Sequence, residues 1–130
     1  MLCFLLQTNA QQKTYISWLV GNDADFQLPN ESVLDGGILL AGGSEDQDSA
    51  MKWFLTKARG GDVIVFRNGR NASVSEYPTA DGYNSYLYSE LNVKVDSVET
   101  IFLNSRDVAN NMQVVDRVLK AEAIFFTGIF

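Results

Sequence analysis

The 130-residue chain contains no histidine, one cysteine and two prolines. Without histidine its own residues cannot form a Ser-His or Cys-His pair, and the commonest transition-metal ligand is missing. The lone cysteine, Cys3, cannot pair within the chain, so no internal disulfide is expected. Positive charge is also scarce. Ten Lys and Arg against sixteen Asp and Glu give a net charge of -6, which lacks the electrostatic footprint of phosphate-backbone binding and sets nucleic acid aside as a partner. The apolar runs are strand-sized, short of the roughly 20 residues a membrane-crossing helix needs, so no membrane span is expected.

What is present fits one domain with one core: 46% of the residues are hydrophobic, in a length typical of a single globule. The start, "MLCFLLQTNAQQ", has a short apolar run and then small residues before a cut after Ala10. It resembles the tail of a signal peptide without the positively charged segment. Residues 1–13 are therefore expected to be a signal-peptide remnant, which implies export to the periplasm or cell exterior; otherwise the protein is cytoplasmic. Asn30-Glu31-Ser32 and Asn71-Ala72-Ser73 match the N-glycosylation pattern, which recurs often by chance.

Residues 14–20, "TYISWLV", read as an early strand before the turn signal Gly21-Asn22-Asp23. "GILLAGG" at 37–43 reads as a strand buried on both faces. Ser44 with Gln47 has the form of a capping box, and Met51, Phe54, Leu55 and Ala58 then form one helical face that Arg59-Gly60-Gly61 closes. "DVIVF" at 62–66 completes a strand-helix-strand pattern, the signature of a parallel βαβ unit. A long irregular stretch, 67–84, precedes a short helix at 84–91, and "SVETIFL" at 97–103 is the next strand. Ser105 is read as the cap of one helix with Val108, Met112, Val115 and Leu119 on its apolar face and Ala109 and Val118 widening the stripe, before a last strand, "AIFFTG", at 123–128. A strongly apolar strand at a sheet edge points to self-association as a homo-oligomer.

Ligands of open α/β sheets lie at the carboxyl ends of the strands, which selects the loops at Gly42-Gly43-Ser44, at 67–84 and from Gly128 onward. "GGSEDQD" puts three acids where a phosphate would sit, and neither GxGxxG nor GxxxxGK[ST] occurs, so a nucleotide cofactor is not expected. Glu45, Asp46 and Asp48 read as a dipole-matched helix start rather than a metal site. Asp81-Gly82-Tyr83-Asn84 is the more informative turn, because Tyr83 and Asn84 can donate hydrogen bonds near the strand ends.

Four blocks, "GGILLAGGSEDQDSAMKWFLTKARGGDVIVFR", "DGYNSYLYSEL", "SVETIFLNSR" and "AEAIFFTG", together resemble, in that order, the cyanophycinase-like serine peptidases. The resemblance implies an α/β fold, a three-layer flavodoxin-like parallel sheet like that of class I glutamine amidotransferases, ended after about four to five strands, with residues 14–130 as the N-terminal half of that domain. It implies hydrolysis of aspartyl or β-aspartyl peptide bonds, with an aspartyl-containing peptide as substrate and no cofactor. Gly128, Gly42 and Gly43 are then expected to line the oxyanion side of the site, and Asp81, Gly82 and Tyr83 the substrate-side loop. Ile129 and Phe130 stand where the family has its second glycine and an acid, and the Gly-x-Ser-Ala-Gly elbow is absent, as if by truncation or frameshift. No catalytic residue is therefore assigned within the chain, and it is expected to be inactive alone. The alternative is a non-catalytic binding module on the same scaffold.

Overall fold

Val63, Ile64, Val65 and Phe66 are buried in alternation on two opposite faces of one strand, which places that strand at the centre of three layers. The computed structural model describes residues 13–29, 35–42, 45–68 and 82–128. The signal-peptide-like stretch 1–12, both Asn-x-Ser patterns, Gly43, Ser44, Asp81 and Ile129-Phe130 lie outside the described residues.

The elements run β1 (Ser17–Gly21), α1 (Asp48–Lys57), β2 (Asp62–Asn68), α2 (Tyr83–Ser85) continuing into a π-helical turn (Tyr86–Glu90), β3 (Ser97–Phe102), α3 (Arg106–Ala109), α4 (Met112–Lys120) and β4 (Ala123–Gly128). The sheet order is β1-β3-β2-β4. Strand β2 is parallel to both neighbours, with Val63 opposite Val98 and Ala123, and Phe66 opposite Ile101 and Phe126. Strand β1 runs antiparallel to β3, so the sheet is mixed where a wholly parallel one was expected. An antiparallel edge strand on a largely parallel sheet is a common arrangement.

Because strand side chains alternate, Val63 and Val65 meet Met51 and Leu55 of α1 and Leu87 of the π-helical turn, while Ile64 and Phe66 meet Val114 of α4 and Tyr15. Burying a side chain such as Leu55 contributes about 1.5–3 kcal/mol. The turn after α1 uses left-handed backbone at Arg59 (φ 51°) and Gly60 (φ 85°), which ends the helix where the sequence indicated. Gly61 then lies so close to Glu122 that a Cβ there would collide with the carboxylate. That carboxylate accepts the Asp62 amide at 2.6 Å, joining the starts of β2 and β4.

Three expectations are corrected. Residues 37–42 form no strand: Ile38 and Leu40 are 85% and 90% exposed, and Leu39 alone of the three packs on the core. Both edges of β2 are taken by β3 and β4, so the expected βαβ unit built on 37–43 has no place beside it. Helix α1 starts at Asp48 with Gln47 at its N-cap and no side-chain cap, later than a capping box at Ser44 requires. The single helix expected from Ser105 is two. Ser105 caps α3 by accepting the Val108 amide, the chain breaks at Asn110, and the Asn111 side chain caps α4 by accepting the Gln113 amide. The break shifts the helical phase, so Met112 and Leu119 are 74% and 80% exposed while Val108, Val114 and Val118 face the sheet.

Candidate functional site

Strands β2 and β4 both end at the same edge of the sheet, with Arg67 and Thr127 side by side in register. Gly82, in extended conformation, delivers the chain to the first residue of α2, and Tyr83 extends toward those strand ends. Its hydroxyl donates to Asp46 Oδ2 at 2.8 Å and accepts from Thr127 Oγ1 at 3.3 Å. The ring lies 5.3 Å from that of Phe125 and 5.7 Å below the Arg67 guanidinium. Tyr83 thus touches the approach to α1, the end of β2 and the end of β4. A second tie runs parallel to the first: the Tyr86 hydroxyl donates to Asp48 Oδ1 at 2.8 Å.

Two cavities open here. The larger, about 710 Å³, lies between residues 37–42 and β4 and is walled by Leu39, Leu40, Phe54 and Phe125. The smaller, about 480 Å³, is walled by Asp48, Glu90, Tyr86 and Arg67. Burial pushes the Tyr83 phenol above its ordinary range and the bond to Asp46 adds to this, against an opposing effect of Thr127. Burial followed by the bond to Asp48 raises Tyr86 further. Both phenols are therefore protonated donors at neutral pH, suited to holding a carboxylate or a carbonyl rather than acting as bases.

Gly42 lines the larger cavity, where a Cβ would meet nothing within 4 Å, so space alone does not demand glycine there. Gly82 and Tyr83 stand at the entrance of α2, and Gly128 ends β4 opposite Asn68. Gly42, Tyr83 and the end of β4 are thus brought together, while Gly43 and Asp81 lie outside the described residues. Thr127 and Arg67 carry no sequence signal of their own, and Tyr86 reads from sequence as a packing residue. Asp46 was read as an acid on a helix start, but it precedes α1 and is instead a hydrogen-bond acceptor.

A separate polar cluster sits mid-sheet. The Glu99 side chain is fully buried and accepts from Lys13 at 2.9 Å, from Ser17 at 2.7 Å and from Arg117 Nε at 2.5 Å. Arg117 also pairs with Asp23 at 3.3 Å. Burial alone would raise the Glu99 carboxyl, but the bonds from Lys13 and Ser17 and the charge of Arg117 outweigh it and hold it below its ordinary value. With both oxygens committed, Glu99 fastens β1 and α4 to β3 and has no acceptor to offer a ligand.

Among the described residues no group of three or more Cys, Asp or Glu side chains is arranged to hold a metal, and no helix is long and apolar enough to cross a membrane. No protein-family model, curated protein or solved structure matches the chain.

Proposed function

We propose that the cleft at the ends of β2 and β4 belongs to a peptide-bond hydrolase of the α/β class. More narrowly, the reading is a cyanophycinase-like serine peptidase acting on aspartyl or β-aspartyl bonds, to which this chain contributes the scaffold and the substrate-side wall. The observation that carries it is the convergence of Gly42, Tyr83 and Thr127 on one cleft at the carboxyl edge of the sheet, where ligands of such sheets bind. The Asp48 and Glu90 carboxylates of the smaller cavity suit the guanidinium of an aspartyl-arginine substrate.

The chain has no histidine, so a serine nucleophile activated by histidine needs residues beyond these 130. That observation also favours the second reading, a non-catalytic module that binds the same peptides. The full chain, incubated with cyanophycin and with Asp-Xaa dipeptides, is expected to release no product but to bind an Asp-Arg dipeptide in calorimetry. Turnover above a no-protein control overturns the inactivity of the chain alone. Failure to bind the dipeptide, or binding unaltered by Asp48→Asn with Glu90→Gln, overturns the substrate class.

A further inference from the structure

The two cavities share a wall, and one hydrogen bond runs through it. Glu45, Asp46 and Tyr83 line both the larger and the smaller cavity, and the bond from the Tyr83 hydroxyl to Asp46 Oδ2 spans the boundary at 2.8 Å. We propose that the Tyr83–Asp46 hydrogen bond is a gate: closed, it divides the cleft into a larger chamber with an apolar side and a smaller acidic one, and open, it joins them into one site that admits a ligand with a guanidinium at one end. The inference rests on the substrate class proposed above and adds to it a means of control.

Three features favour opening at this bond. Asp46 lies on irregular backbone ahead of α1, outside any helical ladder that would fix it. Tyr83 has a second partner at hand, because Thr127 Oγ1 lies 3.3 Å from its hydroxyl while the bond to Asp46 is closed and can take over the phenol proton. The Asp46 carboxylate, once released, keeps its affinity for a donor, and an incoming guanidinium supplies one with a full positive charge. The cation therefore replaces the phenol as the partner of Asp46. Ligand binding and gate opening are then one exchange of donors, in which the ligand prefers the open state because Asp46 is free there.

The chambers differ in a way that makes their union matter. Beyond the residues they share, the larger is walled by Leu39, Phe54 and Phe125, and the smaller by Asp48, Glu90 and Tyr86 together with the Arg67 cation. Free arginine and an Asp-Arg dipeptide both bring a guanidinium to Asp46, so the apparent affinity of each is lowered by the closed fraction.

The test compares the full wild-type chain with Tyr83→Phe, which keeps the ring and removes the donor. Calorimetry with an Asp-Arg dipeptide and with free arginine is expected to show both Kd values lowered about ten-fold in the variant. Relaxation dispersion of the wild-type amides of residues 46, 83 and 127 is expected to show a shared microsecond-to-millisecond exchange, absent in Tyr83→Phe. Asp46→Ala removes the acceptor instead and is expected to abolish the same exchange, which guards against a folding defect peculiar to position 83. Equal dipeptide affinity for wild type and Tyr83→Phe, or exchange that persists in both variants, overturns the gate while leaving the substrate class standing. If neither probe binds any of the proteins, the substrate class falls and the dispersion result alone decides the gate.

Discussion

Thr100 donates its hydroxyl to the side-chain carbonyl of Asn84 at 2.6 Å, and the Asn84 amide in turn donates to Trp18 O and Val98 O, each at 3.0 Å. One buried side chain from α2 thereby closes hydrogen bonds on β1 and β3 and fixes where α2, and with it Tyr83, sits above the sheet. Asn84→Ala strands a buried hydroxyl and removes two donors. The expected loss is about 2–4 kcal/mol, since each unsatisfied buried group costs about 1–3 kcal/mol. Urea unfolding checks this through a lowered midpoint with an unchanged slope.

Glu99 makes stability depend on acid. Its carboxyl is held below its unfolded-state value, so its contribution is complete above the ordinary value of 4.5 and is lost as pH falls through the lowered folded value. Glu99→Gln leaves Lys13 without its carboxylate and Arg117 with Asp23 alone, and is expected to cost about 3–5 kcal/mol at neutral pH. Thermal unfolding between neutral and acidic pH should show a steep decline for wild type and a flatter one for the variant. Parallel curves would refute the assignment.

The two tyrosines at the cleft act in the opposite sense. Their phenols are raised above the ordinary value of 10.0, so the stability they contribute is whole below that value and is lost as pH rises through the higher folded ones. Tyrosinate absorbance should show three of the five tyrosines ionising late, because burial raises Tyr15 as well as Tyr83 and Tyr86. Tyr86→Phe is expected to remove one late step, and Asp48→Asn to bring it earlier.

Phe126 is 71% exposed on β4, an edge strand that carries no charged residue and no proline from Ala123 to Gly128. Such an edge lacks the usual protections against pairing with another chain. Wild type is expected to self-associate with rising concentration in sedimentation velocity, and Phe126→Lys to shift the equilibrium strongly toward monomer. Equal association of the two would exclude this edge as the contact.

Ile38 and Leu39 separate the observed course of residues 37–42 from a buried strand. Ile38→Ser at the exposed position should change stability by no more than about 0.5 kcal/mol, the usual range for surface substitutions. Leu39→Ser, on the core, should cost clearly more. A strand buried on both faces would make the two costs comparable.

The residues that made β2, β3 and β4 legible are short apolar runs bounded by turns, such as "DVIVF", whose burial follows from composition alone. "GILLAGG" has the same composition, but an apolar run does not name its partner, and β2 had already filled both of its edges. In α4 the phase was lost because Asn110 and Asn111 break the helix, and periodicity carried across a break assigns the wrong face. Tyr83 was legible as a loop donor near strand ends, yet its acceptor stands 37 residues earlier, a pairing that local patterns do not encode.

The central position of β2 also constrains how the chain can fold. Asp62 and Glu122, bonded across the starts of β2 and β4, are 60 residues apart. As the polypeptide emerges, β2 is complete long before β4 exists, and one side of its backbone waits unpaired through the synthesis of everything between. Distant pairings of this kind slow folding and lengthen the time in which an apolar strand can meet the wrong neighbour. For this protein the hazardous interval ends when Ala123 reaches Val63.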